Sequence, residues 1–264
     1  MIDRNRLETI VRSAGQIALA SWPGDGHDLA SWEKTPGSPV CTADLAVDSF
    51  LKRELSALLP SAGWLSEETA DTAERQDHEL VWLVDPIDGT RDYIRGRTGW
   101  AISVALVNTG RPLLGYLYAP ARARDQGGEF WWAEAGKGAW LNGQPLVASH
   151  RAQLAGARVP ARKLAAEDAD LCLVDQPNSI ALRMAMIADD RADLLTTLRW
   201  GYEWDIAAAG LIAREAGAVV TDAFGNPLNY NKRDPRAFGV MVSSTGIHPA
   251  AVGRLAERAA RYCV

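Results

Sequence analysis

The chain has 264 residues, 47% hydrophobic and 23% charged, the profile of an ordinary globular protein with enough length for a substantial core. Its 28 Lys+Arg against 33 Asp+Glu leave a net charge of −5, which argues against an electrostatic grip on a nucleic-acid polymer. No apolar run is long enough to cross a bilayer, and the charged start (Asp3, Arg4, Arg6, Glu8, Arg12) is unlike a signal peptide, so no membrane association is expected. Cys41, Cys172 and Cys263 are odd in number and far apart, and His27, His78, His150 and His248 are equally scattered. That pattern excludes a disulfide framework and gives a zinc hydrolase little support; reduced thiols in a cytoplasmic protein are expected.

In chain order, Ile2, Leu7, Ile10, Val11, Ala14, Ile17 and Ala18 recur at helical spacing and predict an amphipathic helix ending before Trp22-Pro23-Gly24. Residues 23–40, with Pro23, Gly24, Gly26, Pro36, Gly37 and Pro39, are expected to form a loop or irregular extended segment containing Lys34. A second helix is predicted from Thr42 as its N-cap, with Leu45, Phe50, Leu51, Leu55 and Leu58 turned inward and Pro60 as its stop. Asp44 falls in its first turn, where the helix dipole favours a carboxylate, so capping alone accounts for it. Trp64-Leu65 suggests a short strand, and Ser66-Glu67-Glu68 after it reads most simply as exposed acids in an acidic loop.

The run Val81-Trp82-Leu83-Val84 predicts a buried strand that ends at Asp85. Pro86 disfavours helix at Asp85 and Gly89 admits a turn, so a tight loop carrying Asp85, Asp88 and Thr90 is expected. Two hard carboxylates beside free backbone N–H groups suit Mg²⁺ and phosphate, and the same aspartates could equally do no more than brace the turn backbone. Strands Ala101–Val107 and Leu113–Tyr118 follow, joined by an Asn108-Thr109-Gly110 turn. Phe130–Ala133 and Ala139–Leu141 form a further hairpin, whose tryptophans read as sheet packing. The second half alternates: strand Leu171–Val174, a helix from Ser179, strand Asp193–Leu198, helix Ile206–Glu215 with Gly217 at its C-terminal end, strands Ala218–Thr221 and Gly239–Val242, and a last helix near Pro249. Asp205 stands at a helix start, where an N-cap role suffices, and the small residues 207–210 allow close packing. No linker separates the halves 1–145 and 146–264, so a single compact unit over 1–264 is expected.

Taken together, Ser66-Glu67-Glu68, then Asp85-Pro86-Ile87-Asp88-Gly89-Thr90, then Trp204-Asp205 with its Ala/Gly-rich helix resembles the lithium-sensitive, Mg²⁺-dependent phosphomonoesterase superfamily. That superfamily includes inositol monophosphatases, 3′(2′),5′-bisphosphate nucleotidases and fructose-1,6-bisphosphatases, and the likeness runs from about Lys34 to Asp222 with the motifs in family order. The resemblance implies an α/β layered sandwich (α-β-α-β-α), a homodimer, Mg²⁺ as cofactor in two or three copies per site, and inhibition by Li⁺. It implies that Glu67, Asp85 and the Ile87 carbonyl hold one ion, and that Asp85, Asp88 and Asp205 hold a second. Asp88, Gly89 and Thr90 would bind the phosphate, while Asp44, Glu67 and Thr90 would orient and activate a metal-bound water for direct hydrolysis without a phospho-enzyme.

The substrate is expected to be a small phosphorylated metabolite. Arg91-Asp92-Tyr93 after the hexapeptide, Leu65-Ser66-Glu67-Glu68, and the Pro177–Arg183 segment resemble the bisphosphate nucleotidase branch more than inositol monophosphatases. Leu198 stands where inositol enzymes place an acid facing inositol hydroxyls. Asp205, Arg183, Arg199 and Arg91 are therefore the candidate substrate contacts, and 3′-phosphoadenosine 5′-phosphate is the favoured substrate, with inositol monophosphate or fructose-1,6-bisphosphate as alternatives. A non-catalytic regulatory protein on the same fold is the alternative of another class; the presence of all the acids weighs against it.

Overall fold

A computed structural model describes residues 2–263. Helix α1 (Arg4–Leu19) begins where the Asp3 carboxylate accepts the N–H groups of Asn5 and Arg6. Residues 23–40 are not the expected loop: β1 (Ser31–Thr35) and β2 (Ser38–Cys41) form an antiparallel hairpin. Gly37, at φ +81°, makes its turn, and β1 is exposed along its whole length, so no apolar alternation announces it. Helix α2 (Thr42–Leu58) is capped by Cys41, not Thr42, with the Asp44 carboxylate accepting the Cys41 N–H at 2.8 Å. Leu45 is exposed, against expectation, because the buried stripe runs through Ala43, Asp44, Val47, Asp48, Leu51 and Leu55.

Strand β3 (Gly63–Ser66) pairs in parallel with β4 (Leu80–Asp88), which runs on past its expected end at Asp85. Helix α3 (Thr90–Ile94) follows at once, in place of a plain loop. Strands β5 (Ala101–Asn108) and β6 (Arg111–Ala119) meet across Thr109-Gly110, both at positive φ as a tight hairpin turn requires. Strands β7 (Glu129–Glu134), β8 (Gly138–Leu141) and β9 (Gln144–Pro145) complete a seven-stranded sheet in the order β3-β4-β5-β6-β7-β8-β9.

The second half contributes β10 (Arg158–Val159) and β11 (Cys172–Leu173), then α4 (Ile180–Ala188), β12 (Leu194–Thr196), β13 (Trp200–Tyr202), α5 (Glu203–Glu215), β14 (Val219–Thr221), β15 (Arg236–Phe238), β16 (Met241–Ser243) and α6 (His248–Tyr262). The strand expected at Gly239–Val242 starts two residues later, because Gly239 takes φ +67° against the Thr197 carbonyl. The antiparallel pairing of β13 with β15, across the intervening α5 and β14, and the shortening of the strands at 171–174 and 193–198, are further departures.

Period-two alternation divides the large sheet between two cores. Trp82, Val84, Ile102, Val104, Leu106 and Tyr116 pack against α1 and α2, whereas Val81, Leu83, Ala101, Ala105, Val107 and Leu117 face α4 and α5. A Cβ on Gly115 of β6 would lie 2.7 Å from the Ala208 carbonyl, so this glycine and the small residues of α5 set how closely helix and sheet approach. Beyond α4 and α5 lies the sheet β12-β16-β14, and α6 covers its far side through Ala251 and Leu255. The layers are thus α, β, α, β, α, the expected α/β sandwich.

Candidate active site

The cleft lies where β3, β4, α3 and α5 all begin or end. One extra residue separates Asp85 from Asp88 in β4, opposite Ser103 and Ala101 of β5. In a regular strand residues three apart face opposite ways; this bulge turns both carboxylates into the same cleft. Gly89 ends the strand at φ +98°, where a Cβ would sit 2.6 Å from the Gly99 carbonyl, so only glycine fits. Glu67 follows β3 and its N–H continues the pairing with β4 by donating to the Val84 carbonyl at 3.2 Å, which brings it beside Asp85. Asp205 occupies the first turn of α5, accepting the Tyr202 N–H at 3.1 Å, and that turn is tied to β5 where the Ser103 hydroxyl donates to the Trp204 carbonyl at 3.3 Å.

Glu67, Asp85, Asp88, Gly89, Thr90, Arg91, Arg199 and Asp205 line one cleft of about 210 Å³, together with Gly37–Pro39, Asn178 and Ile180. Asp44 stands behind Thr90, whose hydroxyl lies 3.3 Å from one Asp44 oxygen and 3.0 Å from the Ile87 carbonyl. The other Asp44 oxygen accepts both the N–H and the thiol of Cys41. Burial raises Asp44 to about 6 against the pull of these Cys41 bonds, and the same burial pushes the Cys41 thiol up to about 12. Asp85 and Asp205 are raised well above the ordinary range, first by burial and then by the neighbouring carboxylates. Asp88 is raised by burial too, although Ser179 Oγ at 2.5 Å and the Ala181 N–H at 2.7 Å hold its charge.

Glu67 and Glu68 are not the exposed pair of an acidic loop. Lys34, reaching over from β1, contacts them at 3.0 and 2.7 Å, and the Glu68 side chain is buried. Asp85, Asp88 and Asp205 have no salt-bridge partner among the described residues. Buried carboxylates without a counter-charge are costly, and a set of oxygens alone suits a hard divalent cation. The side chains ring the cleft more widely than a coordination sphere: among the described residues no three His, Cys, Asp or Glu groups converge on one ion position.

Beside this cleft, and sharing Arg91, Asn178 and Arg199 with it, opens a pocket of about 360 Å³ lined by Arg91, Arg95, Arg162, Arg183 and Arg199 with Gln176 and Pro177. No acid lines it, and none of the five guanidinium groups forms a salt bridge among the described residues. Arg183 is buried; its contacts with the Ser179 and Asn178 carbonyls are long, at 3.3 and 3.4 Å, and burial lowers it to about 10. Arg91 donates to the Gly37 carbonyl and so fastens the β1–β2 turn to the mouth of the cleft. All the candidates named from sequence therefore gather here. Sequence reasoning missed Ser179, which orients Asp88, the two pocket arginines Arg95 and Arg162, and Gln176. Only the Pro177–Arg183 segment carried a signal that could have led to Ser179.

A family model described as "Inositol monophosphatase family" matches residues 4–262. The chain belongs to the inositol monophosphatase family. Among its relatives, the 3′(2′),5′-bisphosphate nucleotidase CysQ of Aggregatibacter actinomycetemcomitans is 33% identical over 215 residues, covering 76% of this chain and 78% of the relative. CysQ of Escherichia coli K12 is 32% identical over 237 residues, covering 85% and 92%. The structure of the Thermotoga maritima IMPase superposes with a TM-score of 0.80 at 26% identity, covering 98% of this chain and 99% of that one. Membership of the inositol monophosphatase family makes the chain a metal-dependent phosphomonoesterase acting on a small phosphorylated compound, and relatives from the bisphosphate nucleotidase branch are among those it matches. No helix of the described residues is long and apolar enough to cross a membrane.

Proposed function

We propose that the protein is a Mg²⁺-dependent 3′(2′),5′-bisphosphate nucleotidase that removes the 3′-phosphate of 3′-phosphoadenosine 5′-phosphate. The observation that carries this reading is the acid-free pocket of five arginines opening from the acidic cleft. A substrate with one phosphate in the cleft leaves that pocket without a purpose, whereas a second phosphate meets forked guanidinium donors there. Leu198 supports the same choice: it lines a separate cavity and presents no acid to a polyol in the cleft. The relatives named as bisphosphate nucleotidases point the same way.

Glu67, Asp85 and the Ile87 carbonyl would hold one Mg²⁺, and Asp85, Asp88 and Asp205 a second, with room in the reading for a third beside Glu67. Bound Mg²⁺ supplies charge neutralisation at the phosphate, stabilisation of the leaving alkoxide and acidification of the attacking water. Thr90 orients that water and passes its proton to Asp44, a carboxylate raised to about 6 by burial and therefore suited to taking a proton near neutral pH. Gly89 and Thr90 position the phosphate at the end of β4, and the arginines align the remainder of the substrate. The phosphoryl group goes directly to water, without a phospho-enzyme. Free thiols at Cys41, Cys172 and Cys263 fit a cytoplasmic protein, and a homodimer is the proposed assembly.

One kinetic panel with Mg²⁺ tests the reading. 3′-Phosphoadenosine 5′-phosphate is expected to exceed inositol 1-phosphate and fructose-1,6-bisphosphate in kcat/KM by more than about tenfold, or roughly 1.4 kcal/mol in the barrier. Li⁺ is expected to inhibit, and Asp88→Asn to lower phosphate release by at least about a hundredfold while circular dichroism shows the fold intact. A preference for either competitor, or an active Asp88→Asn, would overturn it.

A further inference from the structure

The buried stripe of α2 carries two aspartates one turn apart, Asp44 and Asp48. Residues four apart share a helix face, so both carboxylates leave this element on the same side. Asp44 meets Thr90. Asp48 meets the segment after β3: its Oδ1 accepts the Ser66 hydroxyl at 2.5 Å and its Oδ2 accepts the Thr69 hydroxyl at 2.6 Å. The two donors bracket Glu67 and Glu68 in sequence, and Ser66 Oγ also accepts the Glu68 N–H at 3.4 Å. The sheet gives this segment little support of its own. Pairing of β3 with β4 stops at Ser66, and past it the Glu67 N–H makes one more bond, to the Val84 carbonyl. Asp48 is 6% exposed, and no ion pair among the described residues includes it. A buried carboxylate without a counter-charge is costly, and an apolar side chain would cover this face of α2 at lower cost. What the carboxylate does provide is two acceptors at once for two hydroxyls three residues apart.

We infer that Asp48 is a positioning residue for the metal site. By clamping Ser66 and Thr69 it fixes the segment that presents the Glu67 carboxylate to the cleft. Helix α2 thereby holds the base Asp44 with one turn and the Glu67 segment with the next. The inference rests on the reading of Glu67 as a Mg²⁺ ligand and adds to it the residue that keeps that ligand in place. Groups that hold a metal ligand by hydrogen bonds typically cost about ten- to a hundredfold in metal affinity when they are removed.

The test measures Mg²⁺ binding without turnover, from the rise of Tm with Mg²⁺ concentration, in wild type, Asp48→Ala, Asp48→Asn and Glu67→Gln. Asp48→Ala loses both bonds and is expected to weaken Mg²⁺ binding by at least about tenfold. Asparagine keeps an acceptor for one hydroxyl and offers its N–H to the other. Asp48→Asn is therefore expected to stay within about threefold of wild type although the charge is gone. A lower Tm in chelator with an unchanged Mg²⁺ dependence in Asp48→Ala would mean a merely structural role and overturns the inference. Equal losses in Asp48→Asn and Asp48→Ala overturn it too, because the charge and not the bonds would then be responsible. Should Asp48→Ala fail to fold, Thr69→Val removes one bond at a half-buried position and is expected to weaken Mg²⁺ binding by about threefold or more. Wild-type affinity in that variant is again a result against the clamp. Unaltered Mg²⁺ binding in Glu67→Gln overturns instead the reading on which the inference rests.

Discussion

Asp44 accepts the Cys41 N–H and thiol on one oxygen and faces the Thr90 hydroxyl with the other, so its cap on α2 and its proposed catalytic contact use different lone pairs. The capping role read from the first turn of the helix and the role implied by family resemblance therefore coexist in one side chain. Burial raises this carboxyl from 3.8 to about 6. An acid raised in the folded state is released first by the unfolded chain, so it lowers stability progressively as pH rises through that interval. Asp44→Asn keeps an acceptor for Cys41 and can donate to Thr90. It is expected to lower kcat by at least about a hundredfold and to make the metal-free protein more stable at pH 8 by about 1–2 kcal/mol. Urea unfolding at pH 8 and at pH 4 measures this; the gain belongs to the higher pH alone, and a variant less stable at pH 8 contradicts the assignment.

At the scale of elements, the β1–β2 hairpin brings the sole cation paired with the cleft acids among the described residues. Lys34 lies 3.0 Å from Glu67 and 2.7 Å from Glu68; burial works against its charge, but the two carboxylates outweigh that and raise its pKa. An ammonium on Glu67 competes with an incoming divalent ion for the same oxygens. Lys34→Ala is accordingly expected to bind Mg²⁺ about threefold more tightly in low-salt calorimetry, and weaker binding would show that Lys34 supports the ion instead. This hairpin was also the element least legible in sequence. Ser31–Thr35 is exposed throughout and Pro39 interrupts its partner, so neither alternation nor composition marks strands there. The opposite holds for β4, β5 and β6, whose apolar runs announced them, and for α5, whose small residues meet β6 at Gly115. The bulge between Asp85 and Asp88 escaped detection because it depends on pairing with β5, which no local pattern encodes. Arg95 and Arg162 were invisible for a related reason: a surface arginine in a loop becomes a ligand only when distant segments place others around it.

For the whole molecule, the acidic cleft and the ion pairs elsewhere give opposite pH dependences. In Asp193, burial opposes the charge but Arg158 and Ser149 outweigh it and hold the carboxyl at about 2. A depressed acid contributes stability above its unfolded value, lost as pH falls from about 4 towards 2. Asp85, Asp88 and Asp205 are shifted the other way, so the metal-free protein loses stability as pH rises from about 4 through their raised values. Maximum stability without metal is therefore expected on the mildly acidic side. Mg²⁺ that binds the ionised cleft adds stability by mass action, about 2.7 kcal/mol at a hundredfold excess over its dissociation constant. Thermal melts from pH 4 to 9, with chelator and with excess Mg²⁺, should show a Tm that declines with pH in chelator. The two curves should separate as pH rises, because deprotonated carboxylates both repel one another and bind the ion. Parallel curves would mean that Mg²⁺ binds away from these acids, and a Tm in chelator that climbs steadily to pH 9 would mean that they are not held together in the folded protein.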